Sequence, residues 1–226
     1  MRKAVKIELS NRNYSPFDIP KNTKPMKTLL SLASFTILLL TSCEKNVAIV
    51  QEKVVDVIPT NPSSYTEYII KQGQHFSDKS NYLPINTTEL KFVVKFDSSA
   101  IYQSKDPNNQ GDINKLYGFA DNNKNHHEFS ARFGWRWKNN NLEIFGYIYN
   151  NGIMSTQKIA NATIGAEHIC SIKVTANSYV FTFNQSNLTM PRNSITSTAL
   201  GYKLFPYFGG DEMAPKDIHI WIKDVQ

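Results

Sequence analysis

The sequence predicts an all-β sandwich of two antiparallel sheets, and three observations predict it. Strand-length runs in which apolar and polar residues alternate recur between clusters of Asn, Gly, Asp and Pro. No stretch beyond residue 64 carries the three-and-four spacing of an amphipathic helix. Aromatic residues make up 12% of a chain whose mean hydropathy is −0.39, the balance expected of strands with one apolar and one polar side.

The segments before the sandwich come first. Residues 1–25 carry charges, Asn and Pro without apolar periodicity, which makes Met26 the expected true start. From there Lys27 precedes the apolar run Leu29 to Leu40 and then small residues, the grammar of a signal peptide. That run has about a dozen residues, short of the roughly twenty that a spanning helix needs. It ends in Leu40-Thr41-Ser42-Cys43, which resembles a bacterial lipobox. The resemblance implies cleavage before Cys43, lipid on its thiol and acylation (palmitate) of the new amino terminus. Membrane lipid is then a partner through Cys43, since more than one acyl chain makes a durable anchor. Residues 1–43 are therefore expected to be leader, 44–64, with Pro59 and Pro62, a flexible tether, and 65–226 the sandwich.

The charge follows this division. Seven Lys and Arg face two acids in residues 1–43, which leaves 18 against 17 in residues 44–226. The sequence pI of about 9.1 thus belongs to the leader, and the remainder lacks the cationic surplus that displaces counterions from a duplex. No nucleic-acid partner is expected.

Within the sandwich, expected strands are Thr66 to Ile70, Glu89 to Phe96, Lys115 to Phe119, Glu128 to Trp137, Leu142 to Tyr149, Met154 to Ile159, His168 to Thr175, Tyr179 to Asn184, Asn187 to Met190, Tyr202 to Phe208 and Ile218 to Lys223. Cys170 alternates with apolar residues and reads as a small core residue. The clearest pattern is a hairpin turning at Lys138 to Asn141. Phe129, Ala131, Phe133, Trp135 and Trp137 share one face with Leu142, Ile144, Gly146 and Ile148, which is the core face. The other carries Arg132, Arg136, Glu143, Phe145, Tyr147 and Tyr149, too aromatic for an indifferent solvent face.

Flat aromatics beside fork-shaped donors suit a glycan, because C–H faces of sugar rings lie on aromatics while hydroxyls and carboxylates take the polar groups. The candidate ligand-binding residues are Arg132, Arg136, Glu143, Tyr147, Tyr149 and His127. The competing expectation is that a loop or the other sheet covers the three aromatics. Adjacent His126 and His127 would point opposite ways on a strand, which argues against a shared zinc. The oxygen-rich stretch Asp106 to Asp112 is read as a polar loop, with Ca²⁺ the competing use. No other cofactor or metal is expected.

Hydrolysis needs two carboxylic acids. Glu128 and Glu143, on adjacent strands, are the best pair, without a specific context. Elimination would use a Tyr or His to move protons and an Arg to hold a uronate carboxylate, roles that Arg132, Arg136, Tyr147 and His127 could fill. No Gly-x-Ser-x-Gly elbow, phosphate loop or dinucleotide fingerprint occurs.

Three segments carry a resemblance: Asp112 to Phe119, reading Asp-Ile-Asn-Lys-Leu-Tyr-Gly-Phe; Ala131 to Trp137, reading Ala-Arg-Phe-Gly-Trp-Arg-Trp; and Tyr202 to Pro215, reading Tyr-Lys-Leu-Phe-Pro-Tyr-Phe-Gly-Gly-Asp-Glu-Met-Ala-Pro. Together they resemble small Bacteroidota lipoproteins with a concanavalin A-like jelly roll, over roughly residues 65 to 226. The resemblance implies two stacked antiparallel sheets with a groove, at the outer membrane or cell surface, in a family that hosts lectins, hydrolases and lyases. It assigns no catalytic residues. The expected function is a lipid-anchored module that binds a polysaccharide without turnover. A jelly-roll polysaccharide lyase or glycosidase is the first alternative, and a module binding another envelope protein the second.

Overall fold

The computed structural model describes residues 64–194 and 196–226. The leader, Cys43 and the tether lie outside the described residues.

Among the described residues, twelve strands form two six-stranded antiparallel sheets. They are β1 Thr66–Ile70, β2 Pro84–Thr87, β3 Glu89–Phe96, β4 Asn114–Ala120, β5 Phe129–Lys138, β6 Asn141–Asn150, β7 Ile153–Ala162, β8 Glu167–Val174, β9 Ser178–Phe183, β10 Ser186–Pro191, β11 Ala199–Leu204 and β12 Ile218–Val225. The first sheet runs β1-β12-β3-β8-β9-β10 and the second β2-β11-β4-β5-β6-β7. The chain alternates between sheets through β1 to β4, lays down the meander β4 to β7, returns for β8 to β10 and alternates again, which is jelly-roll connectivity. Two short 3₁₀ turns, Ser98–Ala100 and Pro107–Gly111, are the helical pieces among the described residues.

Asparagines make the hairpins. Asn139 and Asn140 hold positive φ of 50° and 57° between β5 and β6, and Asn151-Gly152 holds 54° and 78° between β6 and β7. Two successive residues of positive φ match the right-handed strand twist, and Asn tolerates that region better than other side-chain-bearing residues.

The core lies between the sheets, and the expected face of the hairpin supplies one half of it. Ala131, Phe133, Trp135, Ile144 and Ile148 are fully buried. Phe133 meets Phe92 and Phe181 of the opposite sheet edge-on, at centroid distances of 5.6 and 5.2 Å, the geometry aromatic quadrupoles favour. Cys170 is fully buried, and the apolar surroundings push its thiol well up from the usual range.

Two strand expectations need correction. The short β2 was missed, since it begins with Pro and lies at a sheet edge, where a missing N–H is tolerated. The run from Tyr202 to Phe208 leaves the ladder after Leu204: Pro206 has no N–H to give, and Tyr207 instead bridges Phe76 and Lys115.

Candidate functional site

A pocket of about 580 Å³ opens on the outward face of the second sheet, over β11, β4, β5 and β6, and is flanked by the β1–β2 and β4–β5 connections. Arg132 stands in its wall. The ladder sets it beside Gly118 of β4 on one side and Tyr147 of β6 on the other. Gly118 is a steric requirement: a Cβ at that position would overlap the Arg132 Cβ and the Ala131 carbonyl. Ser130 and Gly134, two residues to either side of Arg132, are also small.

Arg132 is 7% exposed, yet its Nε has no hydrogen-bond partner among the described residues. Among the described residues it joins no salt bridge. Its guanidinium lies over the Tyr147 ring, 5.4 Å from the centroid, and burial pulls its pKa down to about 10. A charge held out of water without a carboxylate costs several kcal/mol.

A second cation shares the pocket. Lys115 Nζ sits 5.2 Å from the Tyr147 centroid and 5.8 Å from that of Tyr207. Burial, and then the charge of Arg132, lowers its amine to about 8. Simple alternation hides this residue. The ladder sets Lys115 opposite Gly134 and Gly118 opposite Arg132, so three steps on β4 match two on β5. The extra residue is a bulge, and it brings Lys115 and Gly118 to one face.

The turn before β5 delivers both histidines, which corrects the expectation that they would point apart. Alternation does not govern a turn, and the two rings lie 4.3 Å apart with both lining the pocket. Buried Ser130 donates to the His126 carbonyl at 2.7 Å and anchors the turn. His126 Nδ1 is 2.9 Å from the Tyr202 hydroxyl. Burial, Arg132 and His127 hold its imidazole down at about 4, so it is neutral at neutral pH. The ring of His127 lies 5.2 Å from that of Tyr149.

The sequence candidates separate. Arg132, Tyr147, Tyr149 and His127 line the pocket together. Arg136 and Glu143 do not: Arg136 Nε bonds Glu143 Oε2 at 2.6 Å and its Nη1 bonds the Gly111 carbonyl at 2.7 Å, while Lys158 takes the other Glu143 oxygen. They share the sheet face but stand further along the strands, closed by the Gly111 turn and β7. Phe145 is buried, with the Arg136 guanidinium of the adjacent strand 4.8 Å from its ring centroid, and so is covered from within its own sheet. Tyr202, Tyr207, Phe76 and Tyr82 were missed, because they arrive by pairing of segments more than a hundred residues apart.

Among the described residues, no Asp or Glu lines the pocket. Glu143 is engaged as described, and Glu128 does not reach the pocket. Elsewhere the acids fix loops. Glu212 accepts from the Lys105 and Asp106 amides and from Asn109 Nδ2, while Asp106 caps its 3₁₀ turn through the Asn108 amide. Gly210, at φ +79°, packs where any Cβ would overlap Asp112. No group of three His, Cys, Asp or Glu suited to a metal occurs among the described residues.

No family model matches the chain, and no curated protein matches it in sequence. Similar solved structures include an alginate lyase from a Chlorella virus, with TM-score 0.47 and 10% identity over 71% of this chain and 82% of that one. A glycoside hydrolase family 16 endo-glucanase from Bacteroides ovatus gives TM-score 0.42 and 13% identity over 72% and 80%. A carbohydrate-binding module from Bacillus subtilis gives 0.33 and 10% over 66% and 76%. At this degree of superposition, what those proteins cleave or bind says nothing of this chain.

Proposed function

We propose that this chain is a polysaccharide lyase that cleaves an acidic, uronate-containing glycan by β-elimination. The observation that carries the reading is Arg132, a buried cation with no carboxylate partner among the described residues, set in the wall of an open pocket. A ligand carboxylate supplies the missing anion, and the planar fork binds it in bidentate fashion. Residues 44–226 hold 18 Lys and Arg against 17 acids, so the positive character of Arg132 and Lys115 is local to this site.

The chemistry follows from which side chains are there. Hydrolysis would need a pair of carboxylic acids, and among the described residues the pocket walls hold none. In elimination, Arg132 takes the uronate carboxylate and draws electron density from C5. Lys115, with an amine near neutrality, removes the C5 proton. The electron pair forms the C4–C5 double bond and the C4–O bond breaks. Tyr147, whose phenol burial raises to about 12 and so keeps protonated, gives its proton to the departing oxygen. No oxidant or water is consumed.

Binding without turnover is the second reading, favoured by the aromatic walls Tyr149, Tyr202 and Tyr207, which suit sugar rings whatever the chemistry. The test incubates the protein with a panel of uronate polymers and neutral glucans. We expect the ultraviolet absorbance of an unsaturated uronate at new non-reducing ends. New reducing ends without that absorbance, or retention without cleavage, would overturn the elimination reading.

We also propose that acylated Cys43 holds the protein at the outer membrane or cell surface. Cys43→Ala would then release it from membranes, and a wild-type chain with a free, uncleaved front end would refute the anchor.

A further inference from the structure

Two rings stand out in solvent at the rim of the pocket. Phe76 is 65% exposed and Tyr82 is 72% exposed, and both belong to the connection between β1 and β2. Single exposed apolar groups are ordinary. These two are held in place, and they are held at opposite ends of the same pocket.

The strip Tyr202 to Phe208 holds them. Phe76 bridges Tyr207 in the backbone and meets its ring edge-on at 5.0 Å. His75 accepts the Phe208 amide at 2.7 Å on one side of it, and Ser77 donates to the Pro206 carbonyl on the other. At the far end Leu83 accepts the Lys203 amide, Pro84 pairs with Tyr202, and the Tyr82 ring lies 5.4 Å from that of Tyr202.

The register places Arg132 between them. Leu204 is opposite Gly118 and Gly118 is opposite Arg132, so the Arg132 backbone is level with residue 204, between 202 and 207, and its side chain lines the same pocket as theirs. Tyr207 marks the Lys115 end and Tyr202 the His126 end. Five residues of chain span at most about 16 Å, room for more than one sugar ring.

We infer that Phe76 and Tyr82 are sugar-stacking platforms of two outer subsites, one on each side of the sugar held by Arg132, so that the pocket takes an internal stretch of an acidic polymer. The ligand class is a chain of uronate rings, whose C–H faces lie on the two rings while the central carboxylate reaches Arg132. The inference rests on the lyase reading and deepens it: cleavage is endolytic, and affinity depends on chain length.

The test compares wild type, Phe76→Ala, Tyr82→Ala and the conservative Tyr82→Phe on the cleaved polymer and on a ladder of its oligosaccharides, with affinity electrophoresis beside the rate. Both rings are exposed, so the alanine variants should keep the wild-type melting temperature. We expect KM for the polymer to rise about two- to tenfold in each alanine variant, the effect of one aromatic contact. The loss should shrink as the chain shortens, and Tyr82→Phe should recover what Tyr82→Ala loses. Early products of the wild type should be long. Equal losses on long and short chains, no loss at all, or unsaturated disaccharide released from the start would overturn the platforms while leaving the lyase reading in place. A wild type that neither holds nor cuts any acidic polymer would overturn both.

Discussion

Arg192 and Arg132 are both shut away from solvent, and the fold treats them in opposite ways. Arg192 lies between the sheets' ends with Asp121 at 2.7 Å, both side chains fully buried. Its other N–H groups go to the carbonyls of Thr175, Thr196 and Thr198, and Asp121 also accepts from Tyr179 and the Asn122 amide. Burial works to lower the Arg192 pKa, and the Asp121 carboxylate outweighs it, so the value rises. At Arg132 burial meets no such partner and the value falls. A buried charge whose every donor is met inside the chain belongs to the fold. One left unmet beside an opening belongs to whatever enters the opening.

That contrast can be broken at its structural end first. Arg192→Met strands the Asp121 carboxylate and should cost about 3–5 kcal/mol in urea unfolding. Burial tends to raise the Asp121 pKa, but the hydrogen bonds from Arg192, Tyr179 and the Asn122 amide, with the Arg192 charge, together prevail and lower it. Its stabilisation is thus present above the ordinary carboxylate range and is lost as pH falls through the folded-state value. The variant should lose this acid limb. Arg132→Met should do the reverse: kcat/KM falls about 10²–10³-fold, the effect of removing one preorganised electrostatic donor, while stability holds or rises by about 1–4 kcal/mol. A destabilised Arg132→Met would place both arginines in the same class.

Smaller effects sharpen the comparison. For the wild type, kcat/KM should climb with pH through about 8, as Lys115 becomes free to accept a proton. In Arg132→Met the limb should move to higher pH, because a like charge that disfavours protonated Lys115 is gone. The move should be modest, since burial is the larger cause of the lowered value. Arg136 offers a third, intermediate case, paired with Glu143 nearer to solvent. Glu143→Gln should change stability by about 1 kcal/mol or less, read from the same urea curves.

How much of this was legible in the sequence depends on how far the signal had to travel. Alternation within one strand put Arg132, Tyr147 and Tyr149 on the correct side of the hairpin, because the side-chain period holds wherever the ladder is regular. It could not say how far along the strand the opening lies, so Arg136 and Glu143 were grouped with a pocket they do not line. Lys115 was lost where the β4 bulge breaks the period. The pairing of residues 75–84 with 202–208 leaves no local trace, and neither does the bond between Asp121 and Arg192. Those contacts are set by sheet order, which a single chain's pattern does not disclose.

Gly118 gives the molecule an asymmetry in what can change. Because the arginine's first carbon already fills the space beside it, no side chain can be introduced there without prising two strands apart, and the guanidinium cannot be re-aimed from below. Divergence toward a new polymer is then expected in the segment around residues 76 to 82, whose Phe76 and Tyr82 rings face water. Relatives of this protein would be expected to keep the floor and to differ in that segment.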